Sequence, residues 1–96
     1  DIRIEGHTDS GAIRQGGPLE RQFGNNWGLS TARAIVVLER LFESDQTGQL
    51  DRSKYSVAGY ADTRPVASND LPDGRALNRR VDIVVVRNDV TYYNQR

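Results

Sequence analysis

The sequence contains no cysteine, and only one histidine occurs among its 96 residues. The absence of cysteine excludes disulfide bonds and thiolate metal sites. The thirteen basic and thirteen acidic side chains cancel, so no overall field draws the chain to nucleic acid or to an anionic membrane. No apolar run approaches the roughly 18 residues that a membrane-spanning helix needs. The length fits one small domain.

We interpret residues 1–96 as a single domain with a core at 2–87 and a tail at 88–96 that has no clear partner. No signal peptide is visible, and the chain begins abruptly in a predicted strand. The sequence predicts three strands and one long helix, as described below, and one helix would leave much of a three-stranded sheet without a covering layer. We therefore expect the domain to be trimmed at its N-terminus.

Hydrophobic periodicity predicts three strands. Residues 2–6 alternate apolar and polar side chains, as in a half-buried strand that runs into a turn. Residues 54–60 form a second candidate strand. Residues 81–87 form a third, which is rich in β-branched side chains.

The clearest predicted helix covers residues 26–44, where apolar side chains recur at about 100° per residue and fall in one broad arc. That arc includes Trp27 and Ile35. Asn26 is the predicted N-cap, and Ser30 is the competing choice. The helix is expected to pack its apolar arc against the sheet.

The remaining segments are predicted to be mainly loops. Residues 10–26 contain four glycines and read as a long loop with at most one short turn of helix. Residues 75–80 are predicted to form a helical turn. The order strand, helix, strand, strand predicts an α/β two-layer sandwich with helices on one face of the sheet.

The motif His7-Thr8-Asp9 raises the question of metal binding or catalysis. A metal site on His7 and Asp9 needs further ligands, and the chain has no other histidine and no cysteine. A nucleophilic site would use Ser10 or Thr8 with His7, but no G-x-S-x-G motif supports it. We therefore predict no metal site, no catalytic residue and no cofactor, and we expect His7 to form local hydrogen bonds.

Asp9 and Arg33 form the more informative pair. Asp9 follows the first strand, and Arg33 lies just outside the apolar arc near the start of the helix. A strand–loop–helix unit brings these positions close together, at the end of the sheet where ligands of open α/β folds bind. Asp9 alone could instead cap the turn after the strand, by a hydrogen bond to the backbone two residues on. The alternative for the pair is a plain surface salt bridge, worth only about 0–1 kcal/mol.

Nucleic-acid binding is another alternative, because three arginines lie close together in the sequence, at Arg75, Arg79 and Arg80. In that interpretation Tyr60 or Trp27 would be the stacking platform for a base. The zero net charge and the lack of a basic stripe argue against it. We therefore predict no nucleic-acid partner.

Three segments in succession, "EGHTDS", "NWGLSTARA" and "VAGYADTRPVASNDLPDGRALNRRVDIVV", closely resemble the OmpA C-terminal-like (OmpA/MotB) family of peptidoglycan-binding domains. The resemblance spans about residues 2–87 and is greatest to the MotB-like stator branch. It implies a βαβαββ core with a mixed sheet, of which this chain lacks the first strand and helix, and these are either trimmed or supplied by another chain.

The resemblance also implies a function. Family members bind the peptide stem of the cell wall without catalysis, typically at meso-diaminopimelate. Carried over, Asp9 would bind the ligand's ammonium, and Arg33 would bind its carboxylate. Asn26 and the first backbone N–H groups of the helix, near Leu29, would add donors. The full set of residues implied to bind ligand is Thr8, Asp9, Asn26, Leu29, Arg33, Asn78 and Arg79.

The same resemblance implies a periplasmic location, as part of an inner-membrane-tethered protein such as a flagellar motor stator. It raises a homodimer as an expectation, since stator-type relatives usually dimerise. The alternative is a module that keeps the fold but binds a protein partner instead of the cell wall. Such a module could discard the Asp9 and Arg33 pair.

Overall fold

The structure, a computed structural model, describes residues 1–87, so the predicted tail at 88–96 lies outside the described residues. The described part contains three strands, three α-helices and one short 3-10 helix. In chain order these are β1 (Ile2–Gly6), α1 (Pro18–Phe23), α2 (Asn26–Ser44), the 3-10 helix (Arg52–Lys54), β2 (Tyr55–Gly59), α3 (Pro72–Asn78) and β3 (Val81–Val85).

Strand β1 is the centre of the sheet, whose order is β2-β1-β3. It pairs in parallel with β2, with Ile4 opposite Val57, and antiparallel with β3, with Ile4 opposite Ile83. The parallel pair requires a crossover, which α2 supplies by packing on both strands. The predicted two-layer α/β arrangement with a mixed sheet is confirmed.

A pair of glycines lets α2 approach the sheet closely. Gly6 and Gly59 are opposite each other in the β1–β2 register. A Cβ atom on Gly6 would overlap the Ser30 carbonyl, and one on Gly59 would overlap the Thr31 hydroxyl. Only glycine therefore fits at these positions, and the first turns of α2 lie directly over the ends of β1 and β2.

The buried apolar core is small and centres on this contact. It consists of Ile4, Leu29, Ala34 and Ala61. Trp27 is 53% exposed, although the periodicity placed it in the apolar arc of the helix. That expectation was wrong because periodicity marks an apolar face, whereas burial requires a neighbouring element to cover it.

The N-cap of α2 is Asn25, and the prediction of Asn26 was wrong by one residue. The Asn25 side chain accepts a hydrogen bond from the Gly28 N–H at 3.1 Å. Gly28 is required there because a Cβ atom would overlap the Phe23 carbonyl. The competing choice, Ser30, is buried within the helix and donates to the Trp27 carbonyl.

Two other predicted segments differ in their bounds. The loop predicted over residues 10–26 contains α1, a six-residue helix with proline at its start. The turn predicted over 75–80 begins earlier, at Pro72, because proline fits the first turn of a helix. Among residues 1–87, no helix is both long and apolar enough to cross a bilayer.

Candidate functional site

One cleft of about 210 Å³ receives side chains from three parts of the fold. Asp9 comes from the segment after β1, Arg33 from the second turn of α2, and Arg79 from the end of α3. Asp9 and Arg33 are distant in sequence and adjacent in space because the parallel β1–α2–β2 unit puts the end of β1 beside the start of α2, and Arg79 joins them by contacting Asp9. The expected closeness of Asp9 and Arg33 is therefore present in the fold.

The Asp9 carboxylate is held by two donors. Arg79 Nη1 donates to Oδ2 at 2.6 Å, and the Gly11 N–H donates to Oδ1 at 2.9 Å. Burial by itself raises the pKa of Asp9, but these hydrogen bonds and the charges of Arg79 and Arg75 outweigh it and keep the pKa below its ordinary value. Asp9 is therefore ionised at physiological pH.

Arg33 has a different environment from Arg79. It is half-buried and lines the cleft, but its guanidinium makes no hydrogen bond or ion pair with any other residue between 1 and 87. The simple salt bridge between Asp9 and Arg33 is thus not formed, since Arg79 occupies that position. Arg33 has five N–H donors available for a ligand in the cleft.

The start of α2 contributes less to the cleft than the resemblance implied. The Asn26 amide lines the cleft and donates to the Gly11 carbonyl at 2.9 Å, which ties the loop after β1 to the helix. The Gly28 N–H is used by the Asn25 cap, and the Leu29 N–H donates to the Asn25 carbonyl. These two N–H groups are therefore not donors to a ligand.

Thr8 and Leu29 are buried residues at the wall of the cleft. The Thr8 hydroxyl donates to the Asp9 carbonyl at 2.8 Å, and its N–H donates to the Ala61 carbonyl at 2.8 Å. Leu29 provides apolar surface. Both residues shape the cleft, and Thr8 also fixes the backbone that carries Asp9.

The structure does not bring Asn78 into the cleft. Its side chain is fully buried and accepts from the N–H groups of Val66 and Ala67 at 2.8 and 3.0 Å. It also donates to the Ala67 carbonyl and to Asn69, at 2.9 and 2.8 Å. Asn78 thus anchors the loop between β2 and α3, which is a structural role rather than the ligand contact implied by resemblance.

A larger groove of about 400 Å³ adjoins the cleft and shares Arg33 and Arg79 with it. Its other walls are mainly apolar and come from α2 and β3, with Val36, Val37 and Val81 among the lining residues. The carboxylate of Asp9 lines only the smaller cleft. Opposite charges therefore meet in the smaller cleft, and that is where a zwitterionic group fits.

His7 lies outside this cleft, on the other face of β1. It is 1% exposed and stacks on Tyr60, with ring centroids 5.5 Å apart. The expected local hydrogen bonds of its imidazole are absent within the described chain, since neither ring nitrogen has a hydrogen-bond partner. Burial is the largest cause that lowers the pKa of His7, and the charge of Arg80 lowers it further.

Sequence reasoning missed the contact between Asp9 and Arg79. The resemblance put both residues at the groove but did not pair them. The N–H of Gly11, two residues after Asp9, fixes one oxygen of the carboxylate. A local signal for it exists, because an aspartate after a strand commonly accepts from the N–H two residues later.

Comparison with known proteins shows which family the chain resembles. Residues 1–79 match the sequence profile of the OmpA family. The chain is 34% identical to motility protein B of Bacillus subtilis over 96 residues, which is all of this chain and 34% of that protein. It is 34% identical to the peptidoglycan-binding protein ArfA of Mycobacterium tuberculosis over 84 residues, 88% of this chain and 22% of that protein.

A solved structure shares the fold of this chain. The cell wall anchor of the type VI secretion system from Pseudomonas aeruginosa superposes with a TM-score of 0.67 at 34% identity. The match covers 85% of this chain and 51% of the anchor. The chain thus spans about half or less of these three proteins, and the similarity concerns only that part of each.

Proposed function

Because the chain belongs to the OmpA family, in its MotB-like branch, we propose that it binds peptidoglycan without catalysis and anchors a larger protein to the cell wall. The ligand group is the free amino-acid end of meso-diaminopimelate in the stem peptide. This end carries an ammonium and a carboxylate on one carbon, so it needs an acceptor and a donor in one small cleft.

The observation that carries the proposal is the unpaired guanidinium of Arg33 beside the ionised carboxylate of Asp9. Arg33 lines the cleft without a partner among residues 1–87. A guanidinium can form a bidentate, charge-assisted pair with a carboxylate. The ligand carboxylate would bind Arg33, and Arg79 would add positive charge on the same side.

Asp9 supplies the acceptor for the ammonium. Each carboxylate oxygen has two acceptor positions, and Arg79 and Gly11 each use one. An ammonium can therefore bind Asp9 while both contacts persist. The lowered pKa of Asp9 keeps this acceptor charged at any physiological pH.

The relatives support the cell wall as the partner and a binding role. ArfA is named for peptidoglycan binding, and the Pseudomonas aeruginosa protein is named as a cell wall anchor. The proposal places the domain in the periplasm, as the wall-binding part of a membrane-tethered protein such as a motor stator, in which it forms a homodimer. It is not an enzyme in this proposal.

The test is co-sedimentation of the domain with purified sacculi of the diaminopimelate type and of the lysine type. Lysine lacks the second carboxylate, so Arg33 loses its partner and retention is expected only on the diaminopimelate wall. Arg33→Ala is expected to weaken binding at least tenfold, because a hydrogen bond to a charged group contributes roughly 1.5–3 kcal/mol.

The matched control is Arg40→Ala, which removes the same side chain from an exposed position two turns further along α2. It is expected to bind like the parent chain, and circular dichroism should show that both variants are folded. Binding that survives in Arg33→Ala would exclude the proposed site. A folded domain that binds neither wall would favour the alternative, a module for a protein partner.

A further inference from the structure

A second polar cluster lies on the face of the sheet opposite α2. Side chains alternate along a strand, and Gly6 faces Ser30 of α2, so Glu5 and His7 point to the other side. Asp82 is directly opposite Glu5 in the β1–β3 register. One donor atom from each of Glu5, His7 and Asp82 lies within 4.8 Å of the others.

This arrangement places two carboxylates opposite each other on adjacent strands. Like charges directly opposite in an antiparallel pair are destabilising. Arg3 Nε contacts Glu5 Oε2 at 2.7 Å, and Arg80 Nε contacts Asp82 Oδ2 at 3.1 Å. The Tyr60 hydroxyl also donates to Glu5 Oε2 at 3.4 Å. The second oxygen of each carboxylate is used in no hydrogen bond within residues 1–87.

His7 is the independent observation that points to a ligand. It is 1% exposed, and both of its ring nitrogens lack a hydrogen-bond partner among the described residues. A buried polar group without a partner is costly, and it calls for an explanation such as an ion. The Nε2 atom lies 3.4 Å from Asp82 Oδ2, too far for a good hydrogen bond.

The same distance fits two ligands of one metal ion. Nitrogen and oxygen ligands of tetrahedral zinc lie about 2.0–2.2 Å from the ion, so they are about 3.4 Å from each other. We propose that Glu5, His7 and Asp82 bind a divalent cation of the zinc class on this face of the sheet. One imidazole with two carboxylates is a donor set that such ions accept.

The site is separate from the wall-binding cleft and does not depend on the proposed function. It also differs from the metal hypothesis considered from the sequence, which used His7 with Asp9. Asp9 is engaged by Arg79 in the cleft and is not part of the cluster. The ion would be held between β1 and β3 and would join the two strands, so we expect it to stabilise the fold.

The test is titration of the tag-free chain with zinc chloride in metal-free buffer, followed by calorimetry and by NMR of the imidazole. His7 is the only histidine, so its ring resonances report on this site alone. We expect a one-to-one complex, a shift of the His7 ring nitrogens and a higher melting temperature. A lack of binding, or binding that leaves the His7 resonances unchanged, would overturn the proposal.

Asp82→Asn is the informative variant because Asp82 is partly exposed and its replacement keeps the shape of the side chain. It is expected to weaken zinc binding at least tenfold. Glu39→Gln is the control, since it removes an exposed carboxylate from α2. Equal affinity of parent and Asp82→Asn would also overturn the proposal, and unchanged far-UV circular dichroism of both variants makes the comparison valid.

Discussion

Arg79 donates from Nη1 to Oδ2 of Asp9 over 2.6 Å, and the two residues are 70 positions apart in the chain. This contact joins the segment after β1 to the end of α3. It holds the acceptor of the cleft in place and leaves Arg33 without an acidic partner among residues 1–87. The site is therefore built from one paired and one unpaired arginine around a single carboxylate.

The first prediction concerns the charge state of Asp9. Arg79→Ala removes the hydrogen bond and the nearest positive charge, so the pKa of Asp9 is expected to rise. The pKa is measured by carbon NMR of the labelled Asp9 carboxyl group as the pH is varied. The free energy of unfolding should change by no more than about 1 kcal/mol, because the Arg79 side chain is 44% exposed and surface ion pairs contribute little. Arg21→Ala is the control, and an unchanged pKa in Arg79→Ala would show that the pair does not form in solution.

The second prediction concerns the contact between α2 and the sheet. Gly6→Ala places a Cβ atom against the Ser30 backbone, and it should lower the free energy of unfolding by about 3 kcal/mol, as overpacking does. In Gly48→Ala the added Cβ atom meets no neighbour, but residue 48 has a φ of +69°. This change should therefore lower the free energy of unfolding by about 1 kcal/mol through backbone strain alone. Urea denaturation measures both. Equal effects of the two changes would contradict the tight contact.

The third prediction concerns the titration of His7. Its pKa in the folded chain should lie below about 6.5, its value in the unfolded chain. As the pH falls below that value, the unfolded chain binds a proton that the folded chain does not. The free energy of unfolding should therefore decrease until the pH reaches the folded pKa. Proton NMR in the presence of a chelator measures the titration, since the chain has one histidine.

Asp82→Asn provides the control for that titration. Asp82 raises the pKa of His7, and Arg80, Arg64 and Glu5 act on it as well. Removing the charge of Asp82 should lower the pKa further. An increase in Asp82→Asn would contradict this effect of the Asp82 charge, and a parent value above 6.5 would show that the imidazole is not buried as the structure has it.

The fourth prediction distinguishes the structural role of Asn78 from a ligand contact. Asn78→Ala leaves the N–H groups of Val66 and Ala67 without an acceptor. We expect a loss of about 2–3 kcal/mol in the free energy of unfolding, measured in urea. Binding to sacculi, corrected for the folded fraction, should change less than twofold. A tenfold loss of binding with unchanged stability would restore the ligand role implied by resemblance.

Local patterns were sufficient for the long helix and the three strands. The bounds of α2 were predicted correctly from periodicity alone, because a helix is specified by neighbours three and four residues apart. The alternation in residues 2–6 likewise specified β1. The cap was misplaced by one residue because Asn25 and Asn26 are both good caps, and only the path of the preceding loop selects between them.

The placement of side chains in the candidate cleft was predicted in part. Asp9 and Arg33 belong to one strand–loop–helix unit, so their closeness follows from the order of elements. The partner of Asp9 could not be found in the same way, because Arg79 reaches it only after the chain has returned through β2 and α3. Nor could Asn78 be recognised as an anchor, since its partners lie in a loop without regular structure.

The sequence by itself determined the long helix, the three strands, their order and the charged residue types of the candidate cleft, because these depend on short-range periodicity and on side-chain chemistry. Tertiary structure alone decided which charges are paired. Asp9 binds Arg79 rather than Arg33, and His7 lies beside Asp82 rather than Asp9. Such pairings depend on strand register and on the close contact at Gly6 and Gly59, which bring distant residues within a few ångströms.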